Sequence, residues 1–157
     1  MGEEIERKFL VVNDAWRYQS EGQLYRQGYI PTTDARTVRV RTVGDKGYLT
    51  LKGPVVNMTR PEFEYEIPLE DAQAMLDTLC EPPLIEKYRY RVPMNQVVWE
   101  IDEFLGENQG LLIAEVELTS PDQAIDVPDW VGEEVTADKR YYNSNLAGNP
   151  FSQWGLY

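Results

Sequence analysis

The chain of 157 residues contains no histidine and a single cysteine, Cys80. Without histidine there is no Ser-His-Asp or Cys-His machinery. One thiol and no imidazole also exclude ordinary zinc sites. Cys80 has no partner for an intramolecular disulfide, so a reducing compartment is expected, and the simplest is the cytoplasm. No apolar run approaches membrane-spanning length, and no signal-peptide pattern stands ahead of the first strand. The sequence carries neither a P-loop motif nor a Gly-x-Ser-x-Gly elbow. Basic residues are the minority: 15 Lys and Arg against 27 Asp and Glu leave a net charge of −12. That sign disfavours a nucleic-acid surface and adhesion to anionic membranes, so neither is an expected partner. Any metal must be held by oxygen, which leaves magnesium, manganese or calcium.

What the sequence does have is period-two alternation. The opening Glu4-Ile5-Glu6-Arg7-Lys8-Phe9-Leu10 reads as a strand with Glu4, Glu6 and Lys8 on one face and Ile5, Arg7 and Phe9 on the other. Two like charges roughly 7 Å apart on one face repel unless something positive lies near them. Gln23 to Ile30 is a strand with Tyr25, Gln27 and Tyr29 on one side. Thr37-Val38-Arg39-Val40-Arg41 puts both guanidiniums on one face. A hairpin turn at Gly44 to Gly47 leads to Tyr48-Leu49-Thr50-Leu51-Lys52, and Glu62 to Ile67 alternates acid with apolar. Lys87 to Arg91 sets three cations against two tyrosines. Val98 to Asp102 sets Glu100 and Asp102 against Trp99 and Ile101, and Leu111 to Leu118 carries Glu115 and Glu117.

Helical spacing is strong only after Pro68, where Leu69, Ala72, Met75, Leu76 and Leu79 recur and Glu70 and Asp71 suit the first turn. This helix is expected on the outside of a sheet, ended by Pro82-Pro83. Asn13 to Trp16 reads as a capped helical turn, Ser120-Pro121-Asp122 as a helix start, Asp138 to Leu146 as a short closing helix, and Pro150 onward as irregular. With no linker or low-complexity segment, one domain over residues 1–157 is expected.

Almost every strand candidate carries ionised side chains on one face and apolar ones on the other. An open sheet salt-bridged on its wet face would gain only about 0–1 kcal/mol per exposed pair, little reason to gather so many. A closed barrel accounts for the pattern better. Closure removes edges, sends the charged faces into a bore, and turns the apolar faces outward against the helix and the tail. Such a bore would hold a polyanion on its cations and divalent metals on its carboxylates. A membrane barrel fits poorly, because Arg7 and Glu86 fall on the outward face.

The opening Glu-x-Glu-x-Lys resembles the signature of the CYTH superfamily, the triphosphate tunnel metalloenzymes. Thr37 to Arg41, Leu51-Lys52-Gly53, Glu62-Phe63-Glu64, Lys87-Tyr88-Arg89, Trp99 to Asp102 and Ala114 to Glu117 follow in that family's order, over about residues 3 to 146. The likeness is greatest to its short bacterial inorganic triphosphatases. It implies an eight-stranded antiparallel tunnel and metal-dependent hydrolysis of triphosphate, with Mg2+ or Mn2+ acting in a two-metal mechanism. By the same resemblance Lys8, Arg39, Arg41, Lys52, Lys87 and Arg89 would cradle phosphates, and Glu4, Glu6 and Glu117 would bind a metal. Glu62, Glu64, Asp102 and Glu115 would hold a second metal or orient the attacking water. Glu66, Arg91 and Glu100 read as balancing pairs near the mouths. A homodimer is a family-level expectation. The rivals are class IV adenylyl cyclase, whose signature has a His-Phe pair that this chain lacks, and thiamine triphosphatase, which needs an aromatic platform such as Tyr29, Tyr48 or Trp99. The rival of another kind is a non-catalytic polyphosphate-binding module.

Overall fold

A computed structural model describes residues 2–156. Nine antiparallel strands form one sheet: β1 (Gly2–Val11), β2 (Gln23–Ile30), β3 (Thr37–Val43), β4 (Lys46–Lys52), β5 (Thr59–Ile67), β6 (Ile85–Met94), β7 (Val97–Phe104), β8 (Leu112–Glu117) and β9 (Val131–Glu134). Their order is β5-β4-β3-β2-β6-β7-β8-β1-β9, and an extra pairing of β5 with β1 closes eight of them into a barrel. β1 is the seam. It pairs with β5 through Gly2 to Ile5, with β8 through Glu6 to Leu10, and with β9 at Phe9 and Val11. Two-residue turns connect β3 to β4 and β6 to β7; Gly44 and Asn95 take positive φ there, as tight hairpins require.

The strands expected from alternation are all present. β9 was not legible: it is short, contains Gly132, and sets Glu133 beside Glu134, so it shows no period of two. The helix start expected at Ser120-Pro121-Asp122 is instead a turn. Ser120 Oγ donates to Asp122 Oδ1 at 2.8 Å, and Gln123 N donates to Ser120 O at 3.2 Å. Short polar side chains that bond their own backbone compete with helix, and Pro suits a turn as well as a first helical residue. Asn13 to Trp16 is likewise a turn, held by Ala15 N donating to Asn13 Oδ1 at 3.0 Å. The tail is more ordered than expected: a 3-10 turn at Lys139–Tyr141, then α2 (Asn143–Gly148), then 3-10 structure over Phe151–Leu156.

Most apolar side chains pack outside the wall. Ile5, Phe9, Trp99, Ile101 and Val116 face outward beneath Trp16 and Trp130. Trp99 stacks edge-on with Trp130 at 5.7 Å. The helix α1 (Leu69–Thr78) lays Ala72 and Leu76 against Val40 on the outside of β3 and β4. It ends four residues ahead of Pro82. Part of the outer face of β4 and β5 is left uncovered, with Leu51 39%, Phe63 49% and Tyr65 57% exposed. No helix among the described residues is long and apolar enough to cross a membrane.

A third apolar cluster lies within the barrel's own circumference. Ile85 stands opposite Gln27, Phe104 opposite Lys87, and Ile113 opposite Asp102, so these side chains share the inward face of their neighbours. They pack with Leu111 and with Leu146 of α2, backed by Phe151 and Trp154. The C-terminal segment therefore stops one end of the bore. Leu146 is fully buried in this stopper. Leu146→Ala should cost about 2–5 kcal/mol in urea unfolding, as for other large-to-small core changes. A loss below about 1 kcal/mol would show that the end of the bore is not packed as core.

Candidate active site

The bore encloses a cavity of about 560 Å³, lined from every strand of the barrel. Strand order sorts its charge. β4, β3 and β6 bring Lys52, Arg39, Arg41, Lys87 and Arg89 to one side, with β2 among them presenting only uncharged side chains to the cavity. β7, β8, β1 and β5 bring Glu100, Glu115, Glu117, Glu4, Glu6, Glu62 and Glu64 to the other. One wall is basic and the facing wall is acidic. Lys8 and Arg60 are the cations set into the acidic wall.

Ion pairs stitch the walls together. Lys52 Nζ lies 2.9 Å from Glu4 Oε2 and 3.1 Å from Glu62 Oε2. Lys8 Nζ lies 2.7 Å from Glu115 Oε1 and 3.2 Å from Glu6 Oε1. Arg39 Nη2 reaches Glu64 Oε2 at 3.3 Å and donates to Thr50 Oγ1 at 3.2 Å, while its buried Nε has no partner among the described residues. Asp102 stands behind the cations, off the cavity surface. It accepts a bidentate pair from Arg89 at 2.7 and 2.8 Å and a third bond from Lys87 Nζ at 2.7 Å. Lys87 also donates to Asn143 Oδ1 of α2 at 2.8 Å, so the stopper fixes the deepest cation. At the rim Arg91 meets Glu100 at 2.5 Å, and Lys46 lies 3.8 Å from Glu66.

The pairing is incomplete, and the incompleteness has a sign on each wall. Arg41, alone among the cations proposed from the sequence, forms no ion pair with any described residue. Burial and the neighbouring Arg39 and Arg89 pull its pKa down to about 9. Burial, with Arg89 and Arg41, takes Lys87 down to about 7 despite Asp102. Opposite them, Glu6 and Glu117 face each other directly across β1 and β8. Burial and then Glu115 raise the Glu6 pKa; burial and then Glu4 and Glu6 raise that of Glu117. Glu115 is different: burial opposes its charge, but Lys8 and Arg89 outweigh that and hold it well below the ordinary carboxylate range. A wall with surplus cation facing a wall with surplus carboxylate suits a polyanion that carries its own divalent cation. No three carboxylates among the described residues are gathered into a ready-made metal cluster. The donor set still fits a hard cation, since Glu4, Glu6 and Glu117 offer only oxygen, and burial with neighbouring carboxylates raises the pKa values of Glu6 and Glu117, an electrostatic cost that a cation would relieve.

A profile described as the CYTH domain matches residues 2–146. The chain belongs to the CYTH domain family. It is similar to a protein of Acetivibrio thermocellus named inorganic triphosphatase, 52% identical over 98% of this chain and 99% of the relative. A protein of the same name from Nitrosomonas europaea is 40% identical over 92% of this chain and 96% of its own. A crystal structure titled as an inorganic triphosphatase matches with a TM-score of 0.66 and 37% identity, covering 92% of this chain and 93% of that one.

Of the residues proposed from the sequence, this CYTH chain brings all but Asp102 to the cavity surface. Sequence reasoning missed Arg60, whose Nε lies 3.5 Å from Glu4 Oε1. It sits in β5 two places before Glu62, ahead of the stretch in which alternation is legible, because Pro61 interrupts the pattern. Asn143 left no signal at all; only the packing of α2 places it beneath Lys87. Trp99, one conceivable base platform, is fully buried in the outer core.

A pH test follows from Glu117. Its folded pKa is raised, so between its unfolded and folded values the folded state holds the extra proton. Stability is then lost as pH rises through that window and regained as pH falls back through it. Glu117→Gln should therefore raise the melting temperature at pH 8, by roughly 1–4 °C, and the gain should vanish near pH 4. A gain that persisted unchanged at pH 4 would mean that the repulsion among Glu117, Glu4 and Glu6 is not its source.

Proposed function

We infer that this protein hydrolyses inorganic triphosphate, releasing pyrophosphate and orthophosphate. One observation carries the reading: a buried guanidinium, Arg41, with no ion-pair partner among the described residues, stands in the wall opposite an acidic one in which Glu117 likewise has none and is repelled by Glu4 and Glu6. A buried charge left in this state costs stability, and retaining it is understandable where a ligand completes it. The names of the relatives support the same substrate class.

Lys8, Arg39, Arg41, Lys52, Lys87 and Arg89 would grip the phosphate chain, the arginines by their planar forks and the lysines as point charges. They come from several strands, so their grip extends along a linear anion rather than closing on one group. Binding energy from the remote phosphates then orients the terminal one against the acidic wall. Asp102 is an anchor that keeps Lys87 and Arg89 aimed. Glu4, Glu6 and Glu117 would hold a divalent ion, and Glu62, Glu64 and Glu115 would hold a second or orient the attacking water. Magnesium or manganese suits such oxygen donors. When bound, such an ion supplies charge neutralisation on the phosphates and lowers the pKa of a water it holds. The uncovered outer face of β4 and β5 supports a homodimer, and the lone Cys80 supports a cytoplasmic setting.

Steady-state assays with tripolyphosphate, pyrophosphate and ATP under one magnesium condition test the substrate. Tripolyphosphate should be cut with a kcat/KM at least about tenfold above pyrophosphate, because two phosphates leave part of the basic wall unpaired. ATP should be slower, since the basic wall grips phosphates and offers a nucleoside no charged contact of its own. Equal turnover of pyrophosphate would show that the site reads a single phosphoanhydride and would overturn the reading.

Arg41→Ala should lower kcat/KM by about 2–5 kcal/mol of transition-state stabilisation, the range for losing one partner of a buried charged contact. Its melting temperature should hold, because no ion pair is broken. An Arg41→Ala protein that keeps wild-type kcat/KM would remove this guanidinium from the site.

A further inference from the structure

The unpaired state of Arg41 is maintained by its neighbours. In register it lies opposite Gln27 of β2 and Tyr48 of β4. A carboxylate at either place would neutralise it. Instead Arg41 Nε donates to Gln27 Oε1 at 2.8 Å, a bond between two fully enclosed groups. The guanidinium has only donors, so the amide must present its oxygen here. Its nitrogen is committed on the other side: Gln27 Nε2 donates to Tyr29 Oη at 2.8 Å, and Gln27 is fully buried. The amide is thus held from both ends and accepts from Arg41 without adding charge.

The second contact is also neutral. The Arg41 Cζ lies 4.8 Å from the ring centroid of Tyr25, and the Arg89 Cζ lies 4.9 Å from the same ring. Two guanidiniums that repel each other share one aromatic ring between them, which attracts both. Arg89 is already occupied by its bidentate bond to Asp102. Arg41 is not: among the described residues, no hydrogen bond engages its two outer nitrogens. They border the cavity.

We propose that Gln27 and Tyr25 are positioning residues that hold Arg41 by its Nε and its face while leaving its charge and its two outer nitrogens for a substrate phosphate. The proposal rests on the triphosphate reading given above and adds to it the reason β2, alone in the basic wall, carries no ionised side chain into the bore. An amide and a ring fix direction; a carboxylate in their place would fix direction and consume the charge.

The separating experiment replaces the amide by its charged isostere. Titration calorimetry without metal would measure binding of tripolyphosphate to the wild type, Gln27→Glu and Gln27→Met, alongside the melting temperature of each ligand-free protein. Gln27→Glu should bind roughly ten- to a hundredfold more weakly, the loss of one charge-assisted contact, while its melting temperature stays level or rises. Weaker binding with equal or greater stability is not what a merely structural glutamine would give. Gln27→Met, which cannot accept the bond but adds no charge, should bind about three- to tenfold more weakly. Gln27→Glu binding within twofold of the wild type overturns the proposal. Should that variant fail to fold, unchanged affinity in Gln27→Met overturns it equally. A wild type that does not bind tripolyphosphate overturns the triphosphate reading itself and this inference with it.

Discussion

Charge enclosed by a closed sheet has to be paired, or it has to await a ligand. That constraint organises this molecule. Because the inward face of nearly every strand is ionised, the barrel cannot collapse on an oily interior along most of its length, and most of its apolar side chains must find cover on the outside. The short elements between strands supply it: the Trp16 turn, α1 and the Trp130 loop are what the wall leans on, while the tail closes one end from within. The same constraint sets the strand order to work. By grouping β4, β3, β2 and β6 on one side, the fold allows attraction across the bore and at two seams, Lys52 with Glu62 and Arg89 with Asp102. The mismatch that remains, Arg41 against Glu117, is small beside the number of pairs that are satisfied. It is also located, which is what separates a binding site from a merely polar interior.

Much of this was legible in the sequence, and the reason is the period of two. A strand whose alternate residues are Glu4, Glu6 and Lys8 declares its inward face whatever the fold around it. Seven strands could be read this way, and of the site residues they nominated all but Asp102 line the cavity. What alternation cannot give is which strand lies beside which. The separation into a basic and an acidic wall exists only in the closed order. So does the position of Asp102, which in sequence looks like Glu100 or Glu115 but lies behind Lys87 and Arg89 as their counter-ion.

The rest was hidden for local reasons. Pro61 masked Arg60 by breaking the pattern of its strand. β9 is too short and too acidic to alternate, and it owes its existence to the partner that β1 offers at Phe9 and Val11. Ser120-Pro121-Asp122 satisfies a helix start and a turn equally well on residue type, and its local side-chain bonds decided for the turn. The two sides of β2 could be told apart, but not which of them enters the bore: Tyr25 and Gln27 look bland beside arginine-rich neighbours until distances show what they touch.

The stopper built from Leu146, Phe151 and Trp154 has a consequence for traffic. A passage open at both ends would let a long anion thread through, to be cut anywhere along its length, with products departing in opposite directions. A blind passage works as a queue. A polyanion that entered it would have its leading end deepest, near Lys87 and Asn143, and would leave through the doorway by which it came. Chains much longer than the bore must leave their excess outside, so such an enclosure is a ruler as well as a vessel, reading a polymer from its end.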